Sequence, residues 1–202
     1  MKIIGGILAG GLGRRMTGFD KPFAPLAGRP LIAHVIDRLS PQTGTILLNA
    51  NADPARFTQF GFDVVADRIS GHKGPLAGIH TLMQAAGERG ASHVLVVPAD
   101  TPFLPQDLAG RLASSCSDAE TVRIACSHGR RHPVAALWPV SLAPALAAHL
   151  ASTDDLSLAA YLRQLSTVET DFSEAGQPDP FFNINEPADL VEAETLLAQI
   201  RA

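Results

Sequence analysis

The sequence predicts a three-layer α/β/α domain on a Rossmann-like, mostly parallel sheet, with a small antiparallel addition in the C-terminal half. Three observations carry that expectation. Apolar runs of strand length alternate with helix-length segments, the pattern of βα units in a parallel sheet. The first apolar run, Ile3-Ile4-Gly5-Gly6-Ile7-Leu8, passes directly into the glycine-rich stretch Ala9-Gly10-Gly11-Leu12-Gly13. Three of the expected strands end in a polar residue or lead into one, at Asn49, Asp67 and Asp100. Ligands of open α/β sheets lie beyond the carboxyl ends of the strands, so that coincidence marks one edge of the sheet as functional.

Strands are expected at residues 2–8, 45–49, 63–66 and 93–98. The last contains Val94-Leu95-Val96-Val97, a run apolar enough for a central strand. Helices are expected at 30–39, 76–89, 105–113, 142–150 and 187–200. The final helix has Pro187 in its first turn, Asp189 near the positive end of its dipole, and Leu190, Ala193, Leu197 and Ile200 along one stripe. That stripe predicts packing on the sheet. Regularity weakens after Asp100, where Val134-Ala135-Ala136-Leu137-Trp138, between prolines, reads as the added strand. No repeat, linker or low-complexity tract interrupts the pattern.

At 202 residues the chain suits a single domain, 1–202, whose core needs neither disulfides nor a structural metal. Hydrophobic residues make up 46% and charged residues 18%, and no apolar stretch approaches the roughly 20 residues that span a bilayer. The N-terminus, Met1-Lys2-Ile3-Ile4, lacks a small-residue cleavage site and does not read as a signal peptide, so a soluble cytoplasmic protein is expected. Cys116 and Cys126 lack the spacing of a zinc site or a disulfide framework and read as reduced thiols. A net charge of −4 argues against nucleic acid as a partner. Local basic clusters at Arg14-Arg15, Arg68 with Lys73, and Arg130-Arg131-His132 still suit small polyanions, although each also reads as a solvated face.

A glycine-rich turn after a buried strand commonly wraps backbone N–H groups around a phosphate, and residue order decides which kind of loop it is. A P-loop requires Gly-Lys-Ser/Thr, but Lys21 stands between Asp20 and Pro22. A dinucleotide-binding turn starting at Gly11-Leu12-Gly13 would need glycine where Met16 stands, and Arg14-Arg15 occupy the helix start. What remains is a Gly-Gly turn, a basic pair, and a lone lysine after a short spacer. The string Leu8-Ala9-Gly10-Gly11, Arg15-Met16, Asp20-Lys21 resembles the signature of the nucleoside-triphosphate transferases. Within that superfamily the chain most resembles the MobA family, the molybdenum cofactor guanylyltransferases. Asn49-Ala50-Asn51, Gly74-Pro75-Leu76-Ala77-Gly78, Pro98-Ala99-Asp100-Thr101-Pro102, Arg131-His132-Pro133 and Phe182-Asn183-Ile184-Asn185-Glu186-Pro187 follow in the family's order. Coverage is nearly the whole chain. Thr17 departs from the pattern, standing where the family usually has glycine.

The resemblance implies a Mg²⁺-dependent enzyme that transfers GMP from GTP to the terminal phosphate of molybdopterin, with or without its metal, and releases pyrophosphate. It also implies transient contacts with other cofactor-biosynthesis proteins. Such a transfer is an in-line displacement at phosphorus, so catalysis consists mainly of positioning and charge neutralisation. Residues up to about 100 are then expected to bind nucleotide and the remainder the acceptor. Backbone N–H groups from Ala9 through Gly10 and Gly11 to Gly13 are expected to hold the triphosphate. Arg15 is expected at the β/γ oxygens, Lys21 at the α-phosphate, and Asp100 as the metal ligand. Asn49 and Asp67, with the main chain at Leu8 and at Gly74, Pro75 and Leu76, are the expected nucleotide contacts. Both polar residues also suit ordinary turns. Asn183 and Asn185, two apart and hence on one face of an extended segment, are expected at the acceptor with Arg131 and His132. Asn185 also suits the cap of the following helix. Asp20 either orients Lys21 or caps a turn.

Three rival readings stay open. A cytidylyltransferase using the same acceptor, or a sugar-phosphate nucleotidyltransferase, would differ in base or acceptor but not in phosphate chemistry. A non-catalytic dinucleotide-binding module would need an acidic ribose ligand ending the second strand, where Asn49 stands.

Overall fold

The computed structural model describes residues 1–10, 20–71, 74–116 and 118–201. Strand β1 (Ile3–Leu8) leads to a two-strand hairpin, β2 (Pro25–Leu26) and β3 (Arg29–Pro30), and helix α1 (Leu31–Thr43). Then come β4 (Ile46–Asn49), β5 (Asp63–Val65), α2 (Pro75–Glu88), β6 (His93–Pro98) and α3 (Leu108–Ser114). The second half contributes β7 (Val122–Ser127), β8 (Arg130–Pro139), α4 (Ala143–Ser152), α5 (Leu158–Leu162), β9 (Thr167–Asp171) and α6 (Pro187–Arg201). The main sheet has the order β5-β4-β1-β6-β8-β7-β9. Strands β5, β4, β1 and β6 run parallel, β8 is antiparallel to both β6 and β7, and β9 returns parallel to β7. A mostly parallel sheet with an antiparallel addition is therefore the architecture, with the addition wider than the single strand expected.

Helices cover both faces, which buries the central strands and explains their continuous apolar runs. On one face Leu39 of α1 and Leu112 of α3 pack with Ile7, Leu48 and Leu95. On the other, Leu82 of α2, Leu146 of α4 and Tyr161 of α5 pack with Ile4, Leu47 and Val94. Helix α6 does not join either layer. Both faces are already occupied, and the stripe of Leu190, Ala193 and Leu197 closes instead on Leu26 of the hairpin, Leu31, Phe103 and Ile184. The expectation that it packs on the main sheet is corrected accordingly. Helix α3 begins three residues later than residue 105. The Pro105 carbonyl takes hydrogen bonds from Gln42 Nε2 at 2.9 Å and the Leu108 amide at 3.4 Å, which holds 105–107 in a turn.

The register sets three strand ends level: Leu8 lies opposite Asn49 on one side and Pro98 on the other. That row is the floor of the carboxyl edge. Beyond it the chain is held by main-chain bonds, from Ala9 N–H to Asn49 O at 2.8 Å and from Ala99 N–H to Leu8 O at 3.0 Å.

Candidate active site

On the β6 side of this edge, four polar residues from distant parts of the chain meet. Lys21 lies in a 3₁₀ turn, Lys21–Phe23, whose Pro22 is buried and whose Phe23 ring packs 5.1 Å from Phe57. Those anchors aim the ammonium group inward. It forms an ion pair with Asp100, two residues past the end of β6, and donates to Asn185 Oδ1 at 2.7 Å and Asn183 Oδ1 at 3.4 Å. Asn183 Nδ2 in turn donates to Asp100 Oδ1 at 2.8 Å. The side chains of Lys21 and Asp100 are 19% and 16% exposed, so the pair is partly desolvated yet reachable by a ligand.

The two asparagines share a face for a local reason. Ile184 between them is fully buried with the α6 stripe, and its N–H donates to Asp100 O at 3.0 Å. In an extended segment its neighbours must then point the opposite way, toward Lys21. Asn185 is not the helix cap through its side chain. Its own N–H and that of Glu186 donate to Asp189 Oδ2 at 2.6 and 3.0 Å, so Asp189 closes the start of α6.

On the β4 side, Asn49 is 4% exposed and donates to Val65 O at 3.1 Å and Asp67 Oδ1 at 2.9 Å. Asn51 donates to Asp67 Oδ2 at 2.8 Å and receives the Asp67 N–H at 2.8 Å. Asn51 thus joins the pair, although in the sequence it had only a place in the Asn49-Ala50-Asn51 segment and no role was expected of it. Gly78 is another such residue. A Cβ there would stand 2.3 Å from Asn49 Oδ1 and 2.6 Å from Leu8 Cδ2, so the first turn of α2 sits directly on the strand ends. Gly74 caps that helix at φ 65°, ψ −157°, a conformation open to glycine, with Pro75 in the first turn where no N–H is needed. Leu76 is fully buried, which leaves only its main chain for a ligand.

Several expected contacts fall elsewhere. The Ala9 N–H is committed to Asn49 O, so it does not point to a phosphate. Gly11 and Gly13, expected at the triphosphate, Arg14 and Arg15, and Lys73 of the second basic cluster lie outside the described residues. Among the described residues, a Cβ at Gly10 would come no closer than 3.9 Å, to Asn49 O. Asp20 neither orients Lys21 nor caps its turn by side chain. Its carboxylate pairs with Arg56 at 2.5 Å. Arg68 is held by both oxygens of Glu88, at 2.5 and 2.7 Å, and that hydrogen bond raises its pKa against the effect of burial. Arg131 on β8 reaches Glu169 on β9 at 2.9 Å. His132 Nε2 meets Ser127 Oγ at 2.7 Å and its ring stacks on Phe181. Burial lowers the His132 pKa, opposed by Asp179 and reinforced by Arg130. Neither Arg131 nor His132 is joined to Lys21 or Asp100.

Residues 5–168 match the family described as the MobA-like NTP transferase domain. The molybdenum cofactor guanylyltransferase of Rhodopseudomonas palustris (strain BisB5) is 48% identical over 198 residues, covering 94% of this chain and 91% of that one. Its counterpart in Bradyrhizobium sp. (strain ORS 278) is 45% identical over 195 residues, covering 95% and 92%. Among solved structures, molybdopterin-guanine dinucleotide biosynthesis protein A from Archaeoglobus fulgidus has a TM-score of 0.72 at 25% identity, covering 97% and 99%.

Proposed function

The chain belongs to the MobA-like NTP transferase family, and from that premise we propose that it transfers GMP from GTP to the terminal phosphate of molybdopterin, forming the guanine dinucleotide cofactor and pyrophosphate. The observation that carries the reading is the convergence of Lys21, Asp100, Asn183 and Asn185 beside the row of strand ends. One cation, one carboxylate and two amides suit a reaction whose demand is to hold two phosphate-bearing substrates in line and offset the charge between them. Lys21 supplies positive charge where negative charge develops at the α-phosphate. The amides of Asn183 and Asn185 each offer a donor and an acceptor to the acceptor substrate.

Base recognition is assigned to the Asn49–Asp67 pair with the main chain of Leu8 and of residues 74–76. Asp67 is held in place by Asn49 and Asn51. Each of its oxygens keeps a second lone pair for N–H donors such as those of guanine. Gly10 and the residues that follow it, including Gly11 and Gly13, are assigned to the triphosphate, and Arg15 to its β/γ oxygens.

A divalent cation, Mg²⁺, fits the same centre by its donor set. Asp100 Oδ2, Asn183 Oδ1 and Asn185 Oδ1 already converge on a single cation, the Lys21 ammonium. Hard oxygen donors with a single carboxylate are what Mg²⁺ takes when phosphates complete its shell. Bound there, the ion would neutralise phosphate charge and orient the leaving pyrophosphate. Asp100 is the residue assigned to hold it.

No helix among the described residues is long and apolar enough to cross a membrane. The test of the base assignment is the melting temperature with Mg-GTP, Mg-CTP, Mg-ATP and NAD side by side. A ligand that binds only the folded state adds about 2.7 kcal/mol at a hundredfold excess over Kd. Mg-GTP is expected to give the largest shift. Equal shifts for all four would remove the assignment of guanine.

A further inference from the structure

Between β9 and α6 the chain runs irregularly, yet it delivers Asn183 and Asn185 to Lys21 and Asp100. Something must fix that segment from the side away from Ile184. The fixing group is at the end of the β7–β8 hairpin. Ser127 is fully buried there, and its Oγ donates to Asp179 Oδ1 at 2.7 Å. A hydroxyl has one hydrogen, so its 2.7 Å contact with His132 Nε2 must run the other way, with the imidazole N–H as donor. This sets the His132 tautomer.

Asp179 uses the same oxygen to accept the Phe181 N–H at 2.9 Å, and its carbonyl accepts the Phe182 N–H at 3.1 Å. The turn at 179–182 is therefore built on the carboxylate that Ser127 holds. The Phe181 ring, 4% exposed, stacks on His132 with centroids 4.5 Å apart and 25° between planes. Two residues beyond Phe181 stands Asn183. The end of the hairpin is in regular register, with Ser127 opposite Arg130 and Ala125 opposite His132, so Ser127 and His132 lie on one face of the sheet; the irregularity comes after His132, where pairing jumps to Ile124 opposite Ala136. Pro133, which has no N–H for a ladder, lies within the bulge on β8.

We propose that His132, Ser127 and Asp179 form a positioning unit that locks the 179–182 turn and thereby sets Asn183 and Asn185 against Lys21 and Asp100. The inference rests on the reading that those asparagines serve nucleotidyl transfer. His132 then contributes a hydrogen bond and a ring face, not a charge for the acceptor phosphate. Its effect on the reaction passes through the backbone of Phe181 to the two amides, and loss of that restraint degrades the alignment of the reacting groups rather than the affinity for nucleotide.

Three variants of the full chain separate the roles. Ser127→Ala removes the central hydroxyl, His132→Phe keeps a ring on Phe181 without the donor, and His132→Gln keeps an N–H donor without the ring. Amide hydrogen exchange of residues 179–186 in the ligand-free protein is read beside kcat and KM for GTP and molybdopterin. In Ser127→Ala and His132→Phe, exchange at 179–186 is expected to rise about tenfold and kcat to fall by about tenfold or more, with KM for GTP within about twofold. His132→Gln is expected to recover exchange and kcat to within about threefold of the parent chain. If Ser127→Ala does not fold, the two His132 variants, at a partly exposed site, decide the matter. Unchanged exchange at 179–186 in His132→Phe, or equal damage in His132→Phe and His132→Gln, would overturn the proposal. Should the exchange pattern appear while the parent chain transfers no nucleotide, the positioning unit stands and the transfer reading fails.

Discussion

Lys21 and Asp100 illustrate how residue chemistry can be read before geometry, while the company that residues keep cannot. A lysine after a glycine-rich turn and an aspartate ending an apolar strand each suggested phosphate chemistry from sequence alone. That Lys21 would contact Asn183 and Asn185, and Asp100 the first of them, up to 164 positions away, had no local signal. The contact changes what the asparagines are expected to do. Asn185→Ala removes one of the Lys21 partners, so a double replacement of Asn183 and Asn185 is expected to weaken molybdopterin binding and also to disturb Lys21, lowering kcat. Loss of each hydrogen bond costs on the order of 1 kcal/mol, about a fivefold effect per residue. Titrations with Mg-GTP and with molybdopterin, beside kcat, measure the balance. Wild-type kcat in the double variant would separate these amides from the reaction. Asp100→Ala is expected to abolish transfer while the melting temperature stays near that of the parent, because the carboxylate is at the open edge of the fold. Residual activity near that of the parent would remove Asp100 from the mechanism.

At the scale of elements, periodicity was most informative where burial is symmetric and least where it is local. Strands β1, β4 and β6 were legible as apolar runs because both of their faces are covered, whereas β5 at the sheet edge has an exposed Asp63 and only half-buried valines. Strand β9, Thr167–Asp171, has an exposed and half-exposed pattern without an apolar run, and β7, Val122–Ser127, contains a buried arginine, so neither was anticipated. Arg123 is 1% exposed and reaches the Cys116 and Asp118 carbonyls at 3.0 and 2.8 Å, a partner choice only the fold reveals. Helix α6 was legible as a helix but not in its packing, since a stripe of Leu190, Ala193 and Leu197 states that something is covered and not what. The element with the sharpest test is α2. Gly78→Ala adds a carbon 2.3 Å from Asn49 Oδ1, against a side chain held by Val65 and Asp67. That variant is expected to fold with a lowered melting temperature and to bind GTP at least about tenfold more weakly, because overpacking costs about 1–3 kcal/mol and displaces the base contact. Isothermal titration with Mg-GTP reads it. Unaltered affinity would detach Asn49 from the nucleotide.

For the whole molecule, three histidines contribute to the response to acid just below neutrality. Burial lowers the pKa of His80, His93 and His132, aided by Arg68 at His80 and by Arg123 at His93. A depressed folded-state pKa means that below the unfolded value the denatured chain takes up protons the native chain refuses. Stability is therefore full above about pH 6.5 and is lost as pH falls through the folded-state values. Melting temperature is expected to decline from about pH 7.5 to about pH 5.5, a window that brackets the ordinary histidine value, and the decline to be shallower in His80→Gln. A flat profile in the parent chain would contradict the burial of these rings. The strand ends of β1, β4 and β6 bring two half-sites to one edge, Asn49 with Asp67 on one side and Lys21 with Asp100 and the asparagines on the other. The most direct measurement of what that edge does is the product formed from α-labelled GTP, CTP and ATP in separate reactions with molybdopterin and Mg²⁺. The account expects label from GTP in a molybdopterin dinucleotide with equimolar pyrophosphate, and little or none from CTP and ATP. Equal or greater incorporation from CTP, or no incorporation from GTP, would contradict it.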